Sequence, residues 1–453
     1  MKTFLTHILI ICGVFMAISC GEDRTYEYEE KTQHNKWMHD MMLEHYLWAD
    51  SLTNYEPDWK SFFSKPSDFL ALLAKQSKQD DKWSYVQVDT LGEDPHQRGF
   101  FNHVESYGID FKLMTDPTGQ TTKQVLRVLT VYPNSPAERA GLLRNDFICL
   151  YNGIKFTNNN LSKLQKGVAR ELEVCHIAEN EEDHSLYWKD TVMVSLPASE
   201  YVEDEAFPIS RLITVDDALV GYLMCTRLTE GPVEEHVAPH VRYRQSLDAI
   251  MSQMKGAGVD EMVLDLRLCN FGTMEMAQRL ASYVVTPESL GATFVKTFWN
   301  NAHAGQNKSV PYDTSVGNLG LSRIYILTSS YTQGAAEWLI HALQHSMGDE
   351  NVILIGTDTK GQNVMTSEVW HDFFVRLFPA VAYVADGAGN YDYAPISPAV
   401  EVDEFSYVKL YDYGDPDETL LNTALRHMLG LIGQDVSETE EGSDKKAEGE
   451  DVE

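Results

Sequence analysis

The N-terminal part of the chain carries its apolar residues at helical spacing. Tryptophan and methionine recur every three or four positions over 35–50, which predicts an amphipathic helix. A second amphipathic helix is predicted over 67–74, directly after Pro66, because proline suits the first turn of a helix. We therefore interpret residues 33–95 as a helical N-terminal domain.

Short β-strands separated by turns are predicted between about residues 103 and 196. The segments 124–131, 146–151, 172–177 and 192–196 are rich in β-branched and aromatic residues, and a short helix is predicted over 137–142. This pattern indicates a β-rich domain over 96–200. The acidic residues 200–205, which follow Pro197, are predicted to be a linker.

Strands and helices alternate from residue 218 onward, which is typical of an α/β domain. We place this domain at 201–432. The predicted strands are 220–226, 261–266, 324–328 and 352–355, and the predicted helices are 242–255, 274–284 and 335–346.

The first twenty residues resemble an export signal. Lys2 precedes a short apolar run, and small residues stand directly before Cys20, as in lipoprotein signals whose cysteine is acylated. We predict a signal peptide over 1–20, lipidation at Cys20, and a tether over 21–32. The alternative is an ordinary signal peptide with an incidental cysteine. The acidic residues after Cys20 resemble the sorting signal of surface lipoproteins, so we expect a lipid-anchored protein of the cell envelope, at the outer membrane.

The net charge of −32 argues against nucleic acid and anionic membrane surfaces as partners, since both would repel the chain. Part of this charge lies in the acidic segment 433–453, which has too few apolar residues to form a core and is predicted to be disordered.

The cysteines suggest no metal site, because they form neither a CxxC pair nor a cluster with histidine. Cys149 and Cys175 could lie on neighbouring strands as a disulfide in an oxidising compartment, although we expect buried free thiols. No cofactor is predicted.

Residues 131–148 read VYPNSPAERAGLLRNDFI and closely resemble the bacterial PDZ pattern V-x-x-x-S-P-A-x-x-A-G-L-x-x-G-D-x-I. Asn152-Gly153 falls where PDZ domains have an N-G turn. The resemblance implies that residues 96–200 form a PDZ domain.

Three later segments resemble, in the right order, the core of the C-terminal processing (tail-specific) serine proteases. They are VLDLR at 263–267, LTSSYTQGAAE at 327–337 and IGTDTKGQ at 355–362. The resemblance implies a crotonase- or ClpP-like ββα core, and hence a multidomain α/β protein with helical, PDZ and protease-like parts.

The two catalytic positions of that family are changed in this chain. The family uses a serine nucleophile activated by a lysine base. Alignment of Thr332 and Glu337 places Gly334 at the nucleophile position, and the T-x-G-K motif places Gln362 at the base position. Glycine has no side chain, and an amide does not accept a proton at neutral pH.

The loop that helps to bind the oxyanion in the family is also altered. Where the family has R-Y-N-G-G-G, this chain has RLCNFG, whose last four residues are Cys269, Asn270, Phe271 and Gly272. Phe271 replaces a glycine that lets the backbone approach the substrate. The three concordant changes predict a catalytically inactive member, or pseudoprotease.

The alternative is an active serine-type endopeptidase with relocated catalytic groups. Ser329, Ser330 or Thr332 would then be the nucleophile, and Lys360, two residues before the base position, would be the base.

Two other side-chain combinations were considered. Cys269 could act as a nucleophile with His341 as its base, although a buried thiol is the plainer interpretation. Glu337, His341 and His345 stand four apart and would share a helical face, but they lack the H-E-x-x-H arrangement of zinc proteases, so we predict no metal site.

The PDZ resemblance also implies a peptide-binding loop, formed here by Gly108, Ile109, Asp110 and Phe111. In PDZ domains backbone N–H groups of this loop capture a C-terminal carboxylate. Asp110 adds a negative charge, which should weaken that capture. We predict a non-catalytic lipoprotein that binds peptides, unfolded protein C-termini or a protein partner. A PDZ fold kept only for packing, in a structural subunit, is the alternative.

Overall fold

The computed structural model describes residues 25–77, 81–88, 103–232, 240–370, 375–391, 394–432 and 448–451. The predicted signal peptide and Cys20 lie outside the described residues. The same holds for most of the acidic segment 433–453. The predictions made for them stay predictions.

The described residues form seven α-helices, numbered here in chain order. They are α1 (Thr25–His45), α2 (Pro66–Ala74), α3 (Pro136–Arg139), α4 (Arg242–Ala257), α5 (Met274–Val284), α6 (Ala335–Met347) and α7 (Thr419–Met428).

The strands of the first half of the chain are β1 (Tyr85–Val88), β2 (His103–Ser106), β3 (Ile109–Thr115), β4 (Gln124–Val131), β5 (Phe147–Tyr151), β6 (Ile154–Lys155), β7 (Arg170–Glu179), β8 (Leu186–Leu196), β9 (Glu200–Glu203), β10 (Ile209–Val215) and β11 (Ala218–Met224).

The strands of the second half are β12 (Glu261–Asp265), β13 (Thr293–Trp299), β14 (Lys308–Pro311), β15 (Ile324–Thr328), β16 (Val352–Gly356), β17 (Val364–Thr366), β18 (Val369–Trp370), β19 (Val375–Phe378), β20 (Ala380–Ala385), β21 (Val400–Glu401) and β22 (Glu448–Asp451).

The chain divides into two compact units. The first contains Met1–Leu91, Trp299–Gly305 and Thr366–Ala382, and the second contains Gly92–Phe298, Gln306–Met365 and Tyr383–Glu453.

The first unit combines α1 and α2 with a small antiparallel sheet in the order β1-β19-β18. Helix α2 begins at Pro66, as predicted. Helix α1 begins at Thr25, so the prediction of a tether over 21–32 is wrong from that residue on. The reason is tertiary: Thr32 is fully buried, and the Asn35 side chain donates hydrogen bonds to the carbonyls of Phe62 and Ser64.

The β-rich part of the second unit is a sheet in the order β3-β4-β5-β7-β8, with β6 paired to β5. Helix α3 begins after Ser135, whose hydroxyl accepts a hydrogen bond from the Glu138 N–H. The predicted linker over 200–205 is wrong in part, because Glu200–Glu203 is strand β9 and pairs with β2. Main-chain pairing with a distant strand stabilises this acidic segment, and composition alone does not reveal such pairing.

Cys149 and Cys175 form a disulfide, with 6.3 Å between their Cα atoms. The expectation of free thiols at these positions is therefore wrong. The pairing follows from register, because β5 and β7 run antiparallel next to each other and Phe147 lies opposite Cys175.

The rest of the second unit is built on a sheet in the order β21-β16-β15-β12-β11-β10-β22. Strands β11, β12, β15, β16 and β21 run parallel, whereas β10 is antiparallel to β11. Residues of α4, α5 and α6 form one apolar core cluster with this sheet, and residues of α7 form another. A further sheet has the order β14-β13-β20-β17.

Strand β22 pairs antiparallel with β10, so residues 448–451 are not disordered as predicted for 433–453. Strand β10 offers a sheet edge whose main-chain groups pair with any extended segment, and a charged composition does not prevent this.

Many predicted elements are confirmed. Helix α5 and strands β4 and β15 have the predicted bounds, and α4, α6, β11, β12 and β16 differ from them by at most a few residues. In the part of the chain that the structure describes, no helix is both long and apolar enough to span a bilayer.

Candidate functional site

Three loops meet at the carboxyl ends of the parallel strands β12, β15 and β16, which are neighbours in the sheet. The hydroxyl of Thr332, after β15, donates to the Leu266 carbonyl after β12, at 3.0 Å. The Lys360 N–H, after β16, donates to the Thr332 carbonyl at 2.9 Å. The loops that carry the sequence-predicted site are therefore held together by direct hydrogen bonds.

Gly334 stands at the sharp turn between β15 and α6. Its φ of 60° and ψ of −114° lie in a region that L residues rarely adopt. A nucleophile at a strand-to-helix turn is held in such a strained conformation in several hydrolases. A Cβ added here would meet only the Gln362 side chain, at 3.6 Å from Oε1 and 3.8 Å from Cδ. The structure thus brings the two predicted catalytic positions face to face.

Gln362 is buried within a small amide network. Its Oε1 accepts a hydrogen bond from Gln333 Nε2 at 2.5 Å, and its Nε2 donates to the Val364 carbonyl at 3.1 Å. Both ends of the amide are therefore engaged by the protein. Gln333 was not predicted as a site residue, because nothing in its local pattern indicates a partner 29 residues away.

Glu337 links the nucleophile and base loops. Its Oε2 accepts from the N–H groups of Gly334 (3.0 Å) and Gln362 (2.7 Å). Its Oε1 accepts from the Gly361 N–H (2.6 Å) and the Thr359 hydroxyl (2.5 Å). Burial raises the pKa of Glu337 to about 7, although these hydrogen bonds oppose the rise. The sequence used Glu337 only as an alignment marker and did not reveal this role.

The predicted oxyanion loop is packed against its surroundings. Gly272 forms a parallel bridge with Leu228, whose N–H donates to the Phe271 carbonyl at 2.9 Å. A Cβ on Gly272 would lie 2.6 Å from the Leu228 Cβ, so only glycine fits. The Cys269 N–H donates to the Leu266 carbonyl, and the buried Oδ1 of Asn270 has no hydrogen-bond partner among the described atoms.

The Cys269 thiol is buried and lies 4.0 Å from the thiol of Cys225. Burial raises the pKa of Cys225 well above its usual value. Both are free cysteines inside the apolar core, which agrees with the interpretation of Cys269 as a buried thiol.

The alternative nucleophiles hold structural positions. The Ser329 hydroxyl donates to the Arg267 carbonyl at 2.5 Å and accepts from the Tyr331 N–H at 3.0 Å. The Thr332 hydroxyl is buried and bonded to the Leu266 carbonyl. Ser330 and Lys360 are exposed, so neither has the desolvated surroundings that activate a serine or a lysine.

The helical face of Glu337, His341 and His345 does not form a metal site in the described structure. The Glu337 carboxylate is saturated by its four donors, and His345 Nδ1 lies 3.8 Å from Asp386 Oδ2. The carboxylate and histidine groups that lie close enough to share an ion are elsewhere among the described residues: Glu44, His45 and His303. The sequence missed them because His303 is distant along the chain.

A buried charge network supports the loop after β12. The Arg267 guanidinium binds both oxygens of Glu418 at 2.7 and 2.8 Å and also contacts Asp265 and Glu404. Arg144 binds Glu404 as well, at 2.6 Å. Although burial opposes it, Arg267 holds the pKa of Glu418 below its usual value, whereas burial raises the pKa of Asp265.

The predicted peptide-binding loop is partly committed to internal contacts. The Gly108 N–H donates to the Ser106 hydroxyl at 2.9 Å, and the side chains of Ile109 and Phe111 are buried in the core of the sheet. Asp110 is half-buried, and its Oδ2 accepts from the Tyr132 hydroxyl at 2.9 Å. Strand β3, which follows Gly108, is an edge of the described sheet.

Two comparisons with known families cover both ends of this architecture. Residues 220–383 match Peptidase family S41, and residues 33–85 match the Peptidase S41 N-terminal domain. The chain belongs to peptidase family S41. The family predicted from the motifs is confirmed, and the S41 match includes Gly334, Gln362 and the loop after β12.

Solved structures agree with this assignment. A protein of Bacteroides fragilis NCTC 9343, assigned to the S41 proteases, has 28% sequence identity and a TM-score of 0.75, and the match covers 87% of this chain and 97% of that one. The photosystem II D1 C-terminal processing protease has 16% identity and a TM-score of 0.46, with 82% and 93% of the chains covered. Mature CPAF has 9% identity and a TM-score of 0.47, with 83% and 93% covered. No curated protein gives a significant match.

Proposed function

We propose that this S41 protein is a pseudoprotease: an exported lipoprotein, anchored in the cell envelope through Cys20, that binds peptides or a protein partner without cleaving them. The observation that carries the proposal is the face-to-face placement of Gly334 and Gln362. The family positions for nucleophile and base meet, but neither residue performs that chemistry.

Several features support inactivity over relocated catalysis. Loss of a nucleophile or a base alone typically lowers the rate by several orders of magnitude. The Gln362 amide, held between Gln333 and the Val364 carbonyl, fills the place of an amine base. The Ser329 hydroxyl, the nearest substitute in the same loop, is committed to the Arg267 carbonyl.

The loops at the carboxyl edge of the parallel sheet support a retained binding cleft. Glu337 keeps the Gly334 and Gln362 loops together through four hydrogen bonds, so the loss of the catalytic groups is not accompanied by a loss of local order. In this proposal the β12–β16 region has a crotonase- or ClpP-like ββα fold and presents an extended segment to the cleft.

The β3–β8 sheet supports a second binding site, of the PDZ type. A peptide can add to the β3 edge as a further strand, which gives affinity through main-chain hydrogen bonds. Asp110 stands at the start of this edge, and its negative charge disfavours a terminal carboxylate there. The proposed ligands are extended peptides or unfolded protein C-termini, with the weaker binding of the free C-terminus set by Asp110.

A hydrolysis assay tests the central claim. The wild-type chain from Gly21 and its Gly334→Ser/Gln362→Lys variant are incubated with a peptide library and with an unfolded protein, beside an active S41 protease. We expect no cleavage by the wild type, and activity gained in the double variant supports a preserved cleft. Wild-type cleavage that is abolished by Ser329→Ala or Lys360→Ala would overturn the proposal in favour of a relocated active site.

A binding assay tests the PDZ-type site. Fluorescent extended peptides with a free or an amidated C-terminus are titrated into the wild type and into Asp110→Asn. We expect tighter binding of the free C-terminus by Asp110→Asn and little change for the amidated peptide. No retention of either peptide would favour a structural subunit that keeps the PDZ fold for packing.

Fatty-acid labelling tests the anchor. We expect label in the wild type and its loss in Cys20→Ala, together with release from the membrane fraction. Unlabelled protein of mature length would indicate an ordinary signal peptide.

A further inference from the structure

Three metal-ligating side chains meet in the first compact unit, away from the S41 site. One ligand atom each from Glu44, His45 and His303 lies within 4.8 Å of the other two. Glu44 and His45 are the last residues of α1, and His303 belongs to the short 3-10 segment Asn301–Gln306.

The side chain of Asn300 holds the two ligand-bearing segments in place. Its Nδ2 donates to the carbonyls of Glu44 (2.9 Å) and Tyr46 (3.0 Å), and its Oδ1 accepts from the His303 N–H at 2.9 Å. Asn300 is itself 6% exposed. One buried amide thus fixes the backbone on both sides of the cluster, which is the kind of support that positions metal ligands.

The electrostatics favour a cation at this point. The C-terminus of a helix carries partial negative charge, and α1 ends at His45. Glu44 adds a carboxylate, 3.8 Å from His45 Nε2. Asp50 lies nearby, where its carboxylate accepts from Asn301 Nδ2 at 2.7 Å.

The imidazoles of His45 and His303 are stacked, with ring centroids 5.2 Å apart and planes only 6° from parallel. Protonation of both rings would place two positive charges in contact. Neutral imidazoles that share a metal ion avoid this repulsion, because metal binding requires the unprotonated nitrogen.

We propose that Glu44, His45 and His303 form a binding site for a divalent transition metal of the zinc class. Two imidazole nitrogens and one carboxylate oxygen suit zinc, with water completing the coordination. Donors of such a site are about 2.0–2.2 Å from the ion, so they must lie closer together than at present. Rotation of the exposed Glu44 side chain and small ring movements are sufficient. The ion would clamp the end of α1 to residues 299–305, and this inference does not depend on the proposed function.

Titration with zinc and cobalt tests the site in the full-length chain, purified in detergent and stripped with a chelator. We expect one tightly bound ion per wild-type chain by calorimetry, and a thermal midpoint that rises with added zinc. Glu44→Gln, His45→Ala and His303→Ala should each weaken zinc binding by more than about tenfold. The bound cobalt should show d–d absorption without thiolate charge transfer, which excludes cysteine ligands.

The matched control is His184→Ala, because His184 is also paired with a carboxylate, Glu179, but is 76% exposed and has no third ligand. It should bind zinc as the wild type does. Glu44→Gln keeps the result interpretable if a histidine variant misfolds, since Glu44 is exposed. Substoichiometric wild-type binding, or an equal loss of affinity in His184→Ala, would overturn the proposal.

Discussion

Gly334 and Gln362 face each other at the carboxyl edge of the parallel sheet, with only 3.6 Å between a Cβ built on Gly334 and the Oε1 of Gln362. This is the relationship that a nucleophile and its base require, since a proton passes between such groups only within hydrogen-bond reach. The backbone arrangement is therefore present, and the two side chains that would use it are not.

Gly334→Ser alone should destabilise the protein by about 1–3 kcal/mol, because a residue with a Cβ is strained at a φ of 60° even where space is available. Urea unfolding gives the free energy. Gly256→Ser is the control, because Gly256 lies in α4 with no atom near its added Cβ and no positive φ. An equal change in both variants would contradict the assigned strain.

Glu337→Gln should destabilise the folded state by about 1–3 kcal/mol at pH 8. Its new NH₂ group must replace an oxygen that accepts from a backbone N–H, which leaves two donors facing each other. Chemical unfolding checks this value. Glu275→Gln, an exposed residue in the first turn of α5, should change the free energy of unfolding little. A neutral effect of Glu337→Gln would show that the network is not tightly formed.

The stability of the wild type should fall with pH between about 4.5 and 7 through Glu337. The folded pKa is about 7 and the ordinary value is 4.5, so the folded state holds a proton that the unfolded state has released. The contribution is fully present below 4.5 and is lost as pH rises through 7, by up to about 1.4 kcal/mol per pH unit. The stability difference between wild type and Glu337→Gln, measured across this window, should decline. A difference that rises with pH would contradict the raised pKa.

Arg267→Met should cost about 3–5 kcal/mol, because it leaves Glu418 and Asp265 buried without their counter-charge. Thermal and urea unfolding check this prediction. Arg139→Met removes an exposed ion pair with Glu200 and should cost at most about 1 kcal/mol. Similar costs for the two variants would mean that the buried network contributes no more than a surface pair.

Removal of the Cys149–Cys175 disulfide should lower the free energy of unfolding by about 3 kcal/mol, since the bond closes a loop across 26 residues. The paired Cys149→Ala/Cys175→Ala variant tests this in urea. A reductant should destabilise the wild type but not the variant. An equal response of both to the reductant would place the effect elsewhere.

Local signals account for the parts of the fold that could be predicted. Helix α5 was predicted with its observed bounds because its apolar spacing and the Thr273 cap lie within a few residues of each other. Strands β4 and β15 were likewise bounded by their own β-branched runs and turn residues. The motifs around Gly334 and Gln362 were recognised for the same reason, since each is a short segment whose flanks match a family pattern.

The sequence by itself determined which elements form, to which family the chain belongs, and which two positions have lost their catalytic side chains. Only the tertiary structure decided that Gln333 binds Gln362, that Cys149 joins Cys175, that β9 and β22 pair with distant strands, and that His303 lies beside Glu44. Periodicity records whether a residue faces a core, and it contains no information about which distant residue lies opposite. Those partners are selected by strand register and by the packing of segments far apart in the chain.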